Sequence, residues 1–209
     1  MNLDEICTAE RSTENGINSF NQKDYTVRRA TVNDILEITN LYRNSFQEHI
    51  MVQRGILTSE EYFQNQLKNL DEIWTVVEKE NKVVGVAALA IIRPVGLGEI
   101  ERVCVDRNER GCGYAVALCE YLVNEAKNQD LGFIEAFARG DQPAMQRTFE
   151  KLGFKTYGVA PRFEVVHNGR IVREQFVHMG LELKPETVDE KSMVLIPTAK
   201  KLYNQINSV

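Results

Sequence analysis

A strand, a glycine-rich turn and a helix follow one another in the middle of the chain. Residues 99–105 read as a strand, the turn is Arg110-Gly111-Cys112-Gly113, and the helix after it carries apolar residues at helical spacing. Two closely spaced glycines let backbone N–H groups converge on an anion, and a helix N-terminus adds partial positive charge. The unit therefore predicts either a phosphate-binding turn or a tight turn that packs the helix against the strand.

Two common nucleotide-binding motifs do not fit this turn. The chain has no GxxxxGK[ST] segment, and GCGYAV lacks the third glycine of a dinucleotide fingerprint. The turn also follows the fourth predicted strand, after an antiparallel hairpin, whereas a dinucleotide fingerprint belongs to the first strand of a parallel sheet. We therefore expect neither a nucleoside triphosphate nor a dinucleotide there.

The pattern on either side of the turn predicts one α/β domain over residues 25–184. Hairpins are indicated by the polar turn at residues 80–82 and by Asn168-Gly169, each between two β-branched runs. Residues 1–24 are polar and predict an extension, and residues 185–209 predict a helical tail whose last helix starts near Pro197.

Composition and charge limit the partners and the compartment. The net charge of −5 argues against nucleic acid, and no apolar run approaches membrane-spanning length. The first 24 residues have no apolar core of a secretory signal, so a cytoplasmic protein is expected. No cysteine pair has CxxC spacing and the histidines are scattered, so neither disulfides nor a metal is expected. The cysteines are Cys7, Cys104, Cys112 and Cys119.

Three motifs in order resemble the GNAT superfamily of N-acetyltransferases. The turn and the two residues after it, RGCGYA, match the family's Q/R-x-x-G-x-G/A motif. GEIERVCV at residues 98–105 is similar to its fourth strand, and FEKLGF at residues 149–154 to its closing LYEKLGF motif. The resemblance spans residues 25–183 and implies an α/β (α+β mixed) fold, with a central, mostly antiparallel twisted sheet of about seven strands flanked by helices.

The resemblance implies acetyl-CoA as cosubstrate and assigns residues to it. The main chain of Val103 and Val105 would pair with the pantetheine arm like an added strand, and N–H groups from Gly111 to Ala115 would hold the pyrophosphate. Arg110 would add a positive charge beside the phosphates. The complete predicted set is Val103, Cys104, Val105, Arg110, Gly111, Cys112, Gly113, Tyr114, Ala115 and Gln142.

Acetyl transfer to an amine needs a group that accepts the amine proton, because an alkylammonium has a pKa of roughly 10.4. Family members that use a glutamate often carry it on the fourth strand, which indicates Glu99 and Glu101. Both would share a face with Val103 and Val105 in a regular strand, so we expect a β-bulge near residues 101–103.

Other roles for these glutamates stay open at this point. Each is also consistent with a solvated strand residue or with an ion-pair partner of Arg102. Glu135 on the following strand is a weaker candidate base.

The family's usual general acid is replaced in this chain. The tyrosine of LYEKLGF is Phe149 here, which has no proton to donate. Tyr157 on the next strand is the alternative candidate, and a buried structural tyrosine is the other interpretation. A thiol pKa of roughly 8.5 also lets the CoA sulfur leave as a thiolate without an acid.

The sequence says less about the amine that accepts the acetyl group than about the cosubstrate. Residues 138–158 are similar to a stretch of β-lysine N-acetyltransferases, which favours a small-molecule amine such as a polyamine or an amino-acid-like compound. A protein N-acetyltransferase, or a non-catalytic acyl-CoA-binding sensor or interaction module, is the alternative. His49, Glu60 and Arg162 would line the acceptor cleft. The long final strands suggest a homodimer paired through their edges.

Overall fold

The computed structural model describes residues 24–184 and 192–208. The predicted extension, including Cys7, lies outside these ranges apart from Asp24, and the division into extension, domain and tail stays a prediction. The strands are β1 (Thr26–Arg29), β2 (Glu72–Lys79), β3 (Lys82–Ile92), β4 (Leu97–Val105), β5 (Phe133–Arg139), β6 (Lys155–His167) and β7 (Arg170–Glu182). The α-helices are α1 (Ile35–Ser45), α2 (Ile50–Gln53), α3 (Glu60–Gln66), α4 (Tyr114–Asn128), α5 (Pro143–Lys151) and α6 (Pro197–Asn207).

The seven strands form one sheet in the order β1-β2-β3-β4-β5-β7-β6. All neighbours are antiparallel except β4 and β5, which confirms the predicted mostly antiparallel sheet. Both predicted hairpins are present. Glu80 and Asn81 take positive φ angles between β2 and β3, and Asn168-Gly169 does the same between β6 and β7, as two-residue turns require.

Helices cover the two faces of the sheet. The apolar face of α1 is buried with α3 against β2 and β3, and its residues are Ile35, Ile38, Leu41 and Tyr42. The opposite face packs against α4 and α5, with Leu118, Leu122 and Phe149 among the buried residues. Helix α3 is capped by Ser59, whose side chain accepts the Tyr62 N–H. Every helix in the described ranges is too short or too polar to span a lipid bilayer.

The parallel strands β4 and β5 pair only at their first residues. Leu97, Gly98 and Glu99 lie opposite residues 133–135, and no further pairs join these two strands among the described residues. Both strands continue well beyond this point, so they diverge and leave a gap in the middle of the sheet. The main chain of β4 on its β5 side therefore lacks a strand partner from residue 100 onward within residues 24–184 and 192–208.

A β-bulge interrupts β4 where it was predicted. Glu101 lies opposite Ala88 while Cys104 lies opposite Val86, so β4 has one extra residue, and Arg102 takes a φ of +57°. After the bulge Val103 packs on the α4 side, together with Val105. Glu99 and Glu101 precede it and lie on the α1 side, opposite to the buried Ile100.

Candidate active site

The glycine turn borders open space in front of the α4 N-terminus. Gly111 and Gly113 have φ angles of +88° and +85°, and a Cβ built on either would meet no atom within 4 Å. Helix α4 begins at Tyr114, and its N-cap residue is Gly113, which has no side chain to cap the helix. The turn thus has the conformation and the free space of an anion cradle. The glycines are required by their backbone angles and not by crowding.

Arg110 joins the turn to the rest of the domain. Its Nη2 donates to the carbonyl of Ser45 at the end of α1 (3.3 Å), and its Nε donates to the carbonyl of Val105 (3.4 Å). The side chain is otherwise exposed. These contacts hold the turn against α1, and the predicted role of Arg110 beside a phosphate stays a prediction.

The remaining predicted cofactor residues differ in exposure. Tyr114 is buried and packs edge-on against Tyr25 at 4.9 Å, whereas Cys112 and Ala115 are half-buried. Gln142 is exposed just before α5. Cys104 is 3% exposed, and burial raises its pKa to about 12. Any contact of Cys104 with a cofactor is therefore made by its main chain.

Glu101 and Glu99 are the acidic groups next to the gap. Burial raises the pKa of Glu101 to about 7, although the Arg102 guanidinium, with Nη2 at 2.8 Å from Glu101 Oε1, opposes the rise. Burial also raises the pKa of Glu99, against the effect of Arg162. A carboxyl group with a pKa near neutrality is suited to accept a proton. The structure thus brings the two predicted bases together on one face.

Arg102 fixes the geometry of the bulge. Its Nη1 donates to Glu72 (3.2 Å), its guanidinium lies 5.4 Å from the Trp74 ring centre, and its carbonyl accepts the hydroxyl of the buried Tyr42 (2.6 Å). Its Nε is buried without a hydrogen-bond partner in the described residues. The positive φ of Arg102 is therefore held by contacts to both its main chain and its side chain.

A second arginine lies on the same face, on β6. The Arg162 guanidinium is 4.2 Å from the centre of the Phe137 ring, and its Nη1 is 3.6 Å from Glu99 Oε1. Its Nε is 2.5 Å from Glu164 Oε1, and Glu164 also lies 3.7 Å from His49 Nε2. Burial alone would raise the pKa of Glu164, but His49 and Arg162 outweigh it and lower that pKa.

The segment after α1 is tied to β6 beside this cluster. The N–H of Val166 donates to the carbonyl of Glu48 (2.7 Å), and His49 forms a bridge with Val165. His49 and Arg162 therefore lie close together on the face of Glu99, and their place in an acceptor cleft stays a prediction. Glu60 lies exposed in the first turn of α3 and shares no ion pair or side-chain hydrogen bond with these groups.

Glu135 and the candidate acid Tyr157 meet at His178. His178 Nε2 is 2.7 Å from Glu135 Oε2, and its ring stacks on Phe137 at 4.5 Å. The Tyr157 ring lies 5.7 Å from His178 and from Phe133, and Phe133 is in the part of β5 still paired to β4. Burial raises the pKa of Tyr157. Tyr157 thus lies on the same face of the sheet as His178, but next to the residues at which β4 and β5 are still paired. Its catalytic role stays a prediction.

Phe149 lies in the core of the opposite face. It is 2% exposed and packs against Phe154 at 5.0 Å. The position therefore contributes packing and no proton.

Several residues of this face were missed by the sequence analysis. Glu72, Phe137, Glu164 and His178 all contact predicted residues here. The alternation of β5 places Phe137 on the face of Glu135, which was a usable signal. The others reach the site through long-range pairing, for which the sequence carries no local signal.

Comparisons with known proteins show which family the chain is similar to and which fold it shares. The sequence profile of the Acetyltransferase (GNAT) family matches residues 35–154. The amino-acid acetyltransferase of Yersinia enterocolitica (serotype O:8 / biotype 1B, strain NCTC 13174 / 8081) is 30% identical over 105 residues, which are 50% of this chain and 22% of that protein. The chain thus spans less than a quarter of the length of this relative.

Solved structures confirm the predicted fold. An N-acetyltransferase from Staphylococcus aureus Mu50 superimposes with a TM-score of 0.65 at 22% identity, over 77% of this chain and 99% of that chain. The PaiA N-acetyltransferase from Thermoplasma acidophilum, in complex with coenzyme A, superimposes with a TM-score of 0.59 at 13% identity, over 76% and 98%. The family profile covers more than half of the chain, including the glycine turn and the bulged strand, and the chain belongs to the acetyltransferase (GNAT) family.

Proposed function

We propose that the protein is an acetyl-CoA-dependent N-acetyltransferase that acts on a primary amine of a small molecule, either amino-acid-like or a polyamine. The gap between β4 and β5 carries the proposal, because the glycine turn follows the end of β4 and two half-buried carboxylates flank the gap. The similarity to an amino-acid acetyltransferase and to a structure with bound coenzyme A supports it.

The residues on the α4 side fit the cosubstrate. The backbone of the glycine turn borders open space ahead of α4, and the main chain of Val103 and Val105 borders the gap. These groups would hold the pyrophosphate and the pantetheine arm, respectively. When bound, acetyl-CoA supplies an acetyl group activated as a thioester.

The residues on the α1 side handle the amine proton. Glu101 accepts it, directly or through water, with Glu99 as the adjacent carboxylate. Arg102 keeps Glu101 in place through their ion pair. Because Phe149 has no proton to donate, the departing thiolate takes its proton from solvent or from the product.

A non-catalytic acyl-CoA sensor is the second candidate. The buried Phe149, at the position of the usual acid, is the observation that favours it. The paired carboxylates beside the gap favour the enzyme.

A CoA-release assay separates the two candidates. Thiol production is measured with acetyl-CoA and a panel of amino acids, polyamines and simple primary amines, alongside calorimetric binding of acetyl-CoA. We expect saturable binding and thiol release with at least one amine. Saturable binding without release from any amine would establish the sensor instead.

A further inference from the structure

Arg162 is positioned by aromatic rings, and some of its N–H groups have no hydrogen-bond acceptor among the described residues. Its guanidinium lies 4.2 Å from the Phe137 ring centre and 5.9 Å from that of Phe176, so two rings from neighbouring strands fix its place. Its Nε lies 2.5 Å from Glu164 Oε1 and its Nη1 lies 3.6 Å from Glu99 Oε1, and neither Nη1 nor Nη2 forms a hydrogen bond with a described residue. The side chain is about one third exposed. An arginine held in this way presents part of its planar fork to a ligand.

The other arginines near this face, Arg139 and Arg102, already form ion pairs with carboxylates. Arg139 is surrounded by Asp141, Glu174 and Glu48, with its Nη2 at 2.7 Å from Asp141 Oδ2. Arg102 is committed to the bulge through its contacts with Glu101 and Glu72. Among the described residues of this face, Arg162 thus has the guanidinium nitrogens open to a new anion.

Arg162 also lies next to a candidate base. The 3.6 Å between Arg162 Nη1 and Glu99 Oε1 is too long for a hydrogen bond, so the two groups form a loose ion pair. A molecule that carries an amine and a carboxylate on one carbon has opposite charges at a similar spacing. Such a zwitterion replaces the ion pair with two new ones, its ammonium group toward Glu99 and its carboxylate toward Arg162.

Building on the proposed function, we propose that the acceptor is an α-amino acid and that Arg162 binds its carboxylate as a specificity-determining residue. The alternative acceptor is a polyamine, whose positive charges the carboxylates on this face would attract. The carboxylates concerned are Glu72, Glu99, Glu101, Glu135 and Glu164. Two of them are already paired with Arg102, and Glu164 is paired with Arg162 and His49.

The test compares acceptors that differ only in the carboxylate. The protein amino acids are screened for CoA release, and the best acceptor is then measured beside its carboxamide and its decarboxylated amine, with spermidine as the polyamine. We expect kcat/KM for the acid to exceed that for the amide by about ten- to a hundredfold, the contribution of a charge-assisted hydrogen bond. An amide, decarboxylated amine or spermidine that is an equal or better acceptor would overturn the proposal.

Substitution of Arg162 tests the assignment to this residue. Arg162→Gln is expected to raise KM for the acid by about the same ten- to a hundredfold while kcat and the amide kinetics change little. Arg162→Lys keeps the charge without the fork, and the preference for the acid should survive with a smaller rise in KM. Equal effects of either variant on acid and amide would contradict the assignment.

Controls separate this inference from the proposed function and from misfolding. Arg173→Gln removes an exposed arginine of β7 and should leave all kinetics unchanged. Thermal unfolding and acetyl-CoA affinity show whether each variant is folded. If Arg162→Gln does not fold, Arg162→Lys alone tests the assignment. Release of CoA with carboxylate-free amines alone would refute this inference only, whereas no release with any acceptor would refute the proposed function and this inference with it.

Discussion

Two opposing effects act on the carboxyl group of Glu101. Burial disfavours its charged form, and the nearby Arg102 guanidinium favours it. Burial is the larger effect, and the pKa of Glu101 rises to about 7. The group therefore changes its protonation state within the pH range in which such an enzyme would work. Below that pKa it is protonated and unable to accept a proton from an amine.

The first prediction concerns the pH dependence of turnover. In the wild-type protein kcat/KM for the amine should rise with pH and level off above about 7, as Glu101 becomes ionised. Glu101→Gln should lower it by about a hundredfold, within the range for loss of a general base, and kcat/KM should then keep rising with pH until the amine itself is deprotonated. Initial rates over a pH series measure both effects.

A matched variant controls this prediction. Glu174→Gln removes a carboxylate on β7 that pairs with Arg139 instead of flanking the gap, and its pH profile should match that of the wild type. If Glu99→Gln and Glu101→Gln both left the rate and its profile unchanged, the pair would have no part in the mechanism.

Single residues also show what the sequence was able to predict of the site. Glu99 and Glu101 were identified because they belong to a motif on one strand. Arg162 was predicted only to line the cleft, and its stacking on Phe137 was not foreseen, because the two residues come from strands that are separated by β7 in the sheet. His178 showed no signal, since its partner Glu135 lies 43 positions earlier in the chain.

At the scale of elements, the turn before α4 and the turn between β6 and β7 have similar backbones and different surroundings. Gly113 has a φ of +85° and Gly169 a φ of +75°, and neither has an atom within 4 Å of a built Cβ. A side chain at either position is strained to a similar degree. The two glycines differ in the location of this free space. It lies at the N-terminus of α4 for Gly113 and at the tip of the β6–β7 hairpin for Gly169.

These two glycines give a paired prediction. Gly113→Ala and Gly169→Ala should each lower the free energy of unfolding by about 1 kcal/mol, the cost of an L-residue in the left-handed region. Only Gly113→Ala should also raise the dissociation constant for acetyl-CoA, by roughly tenfold, as for one lost charge-assisted hydrogen bond. Denaturant titration and calorimetry measure the two quantities. Equal acetyl-CoA affinity in both variants would argue that the turn does not bind the cosubstrate.

Elements with local signals were predicted, and their long-range arrangement was not. Both hairpins have turn residues that require positive φ angles, so their strands could be paired from sequence. The place of β7 between β5 and β6 has no such marker, because either strand of a hairpin can lie next to a third strand. The bulge in β4 was predicted from a conflict between side-chain types, which is a local argument too.

At the scale of the whole molecule, β6 is an edge strand with apolar residues. Val159 and Phe163 are 63% and 60% exposed, while residues 165 and 166 are covered by the segment that contains Glu48 and His49. The uncovered part of β6 presents main-chain groups that another strand can pair with. This edge is the natural place for the homodimer suggested by the sequence.

The corresponding prediction is a dimer that depends on β6. Light scattering should give twice the mass of the chain, and Val159→Lys should shift it to that of one chain, because a charged lysine on an edge strand opposes pairing with another strand. Ile171→Lys changes a similarly exposed residue on β7 and should leave the dimer intact. A wild-type protein with the mass of one chain would refute the prediction.

The divergence of β4 and β5 also determines how two substrates can meet. The glycine turn and Val103 belong to the α4 side of the sheet, whereas Glu99 and Glu101 belong to the α1 side. A cosubstrate and an acceptor would therefore approach from opposite sides, and neither has to depart before the other arrives. Under the proposed function, the expected rate law is that of a ternary complex, with the acetyl group passed directly from the cosubstrate to the amine.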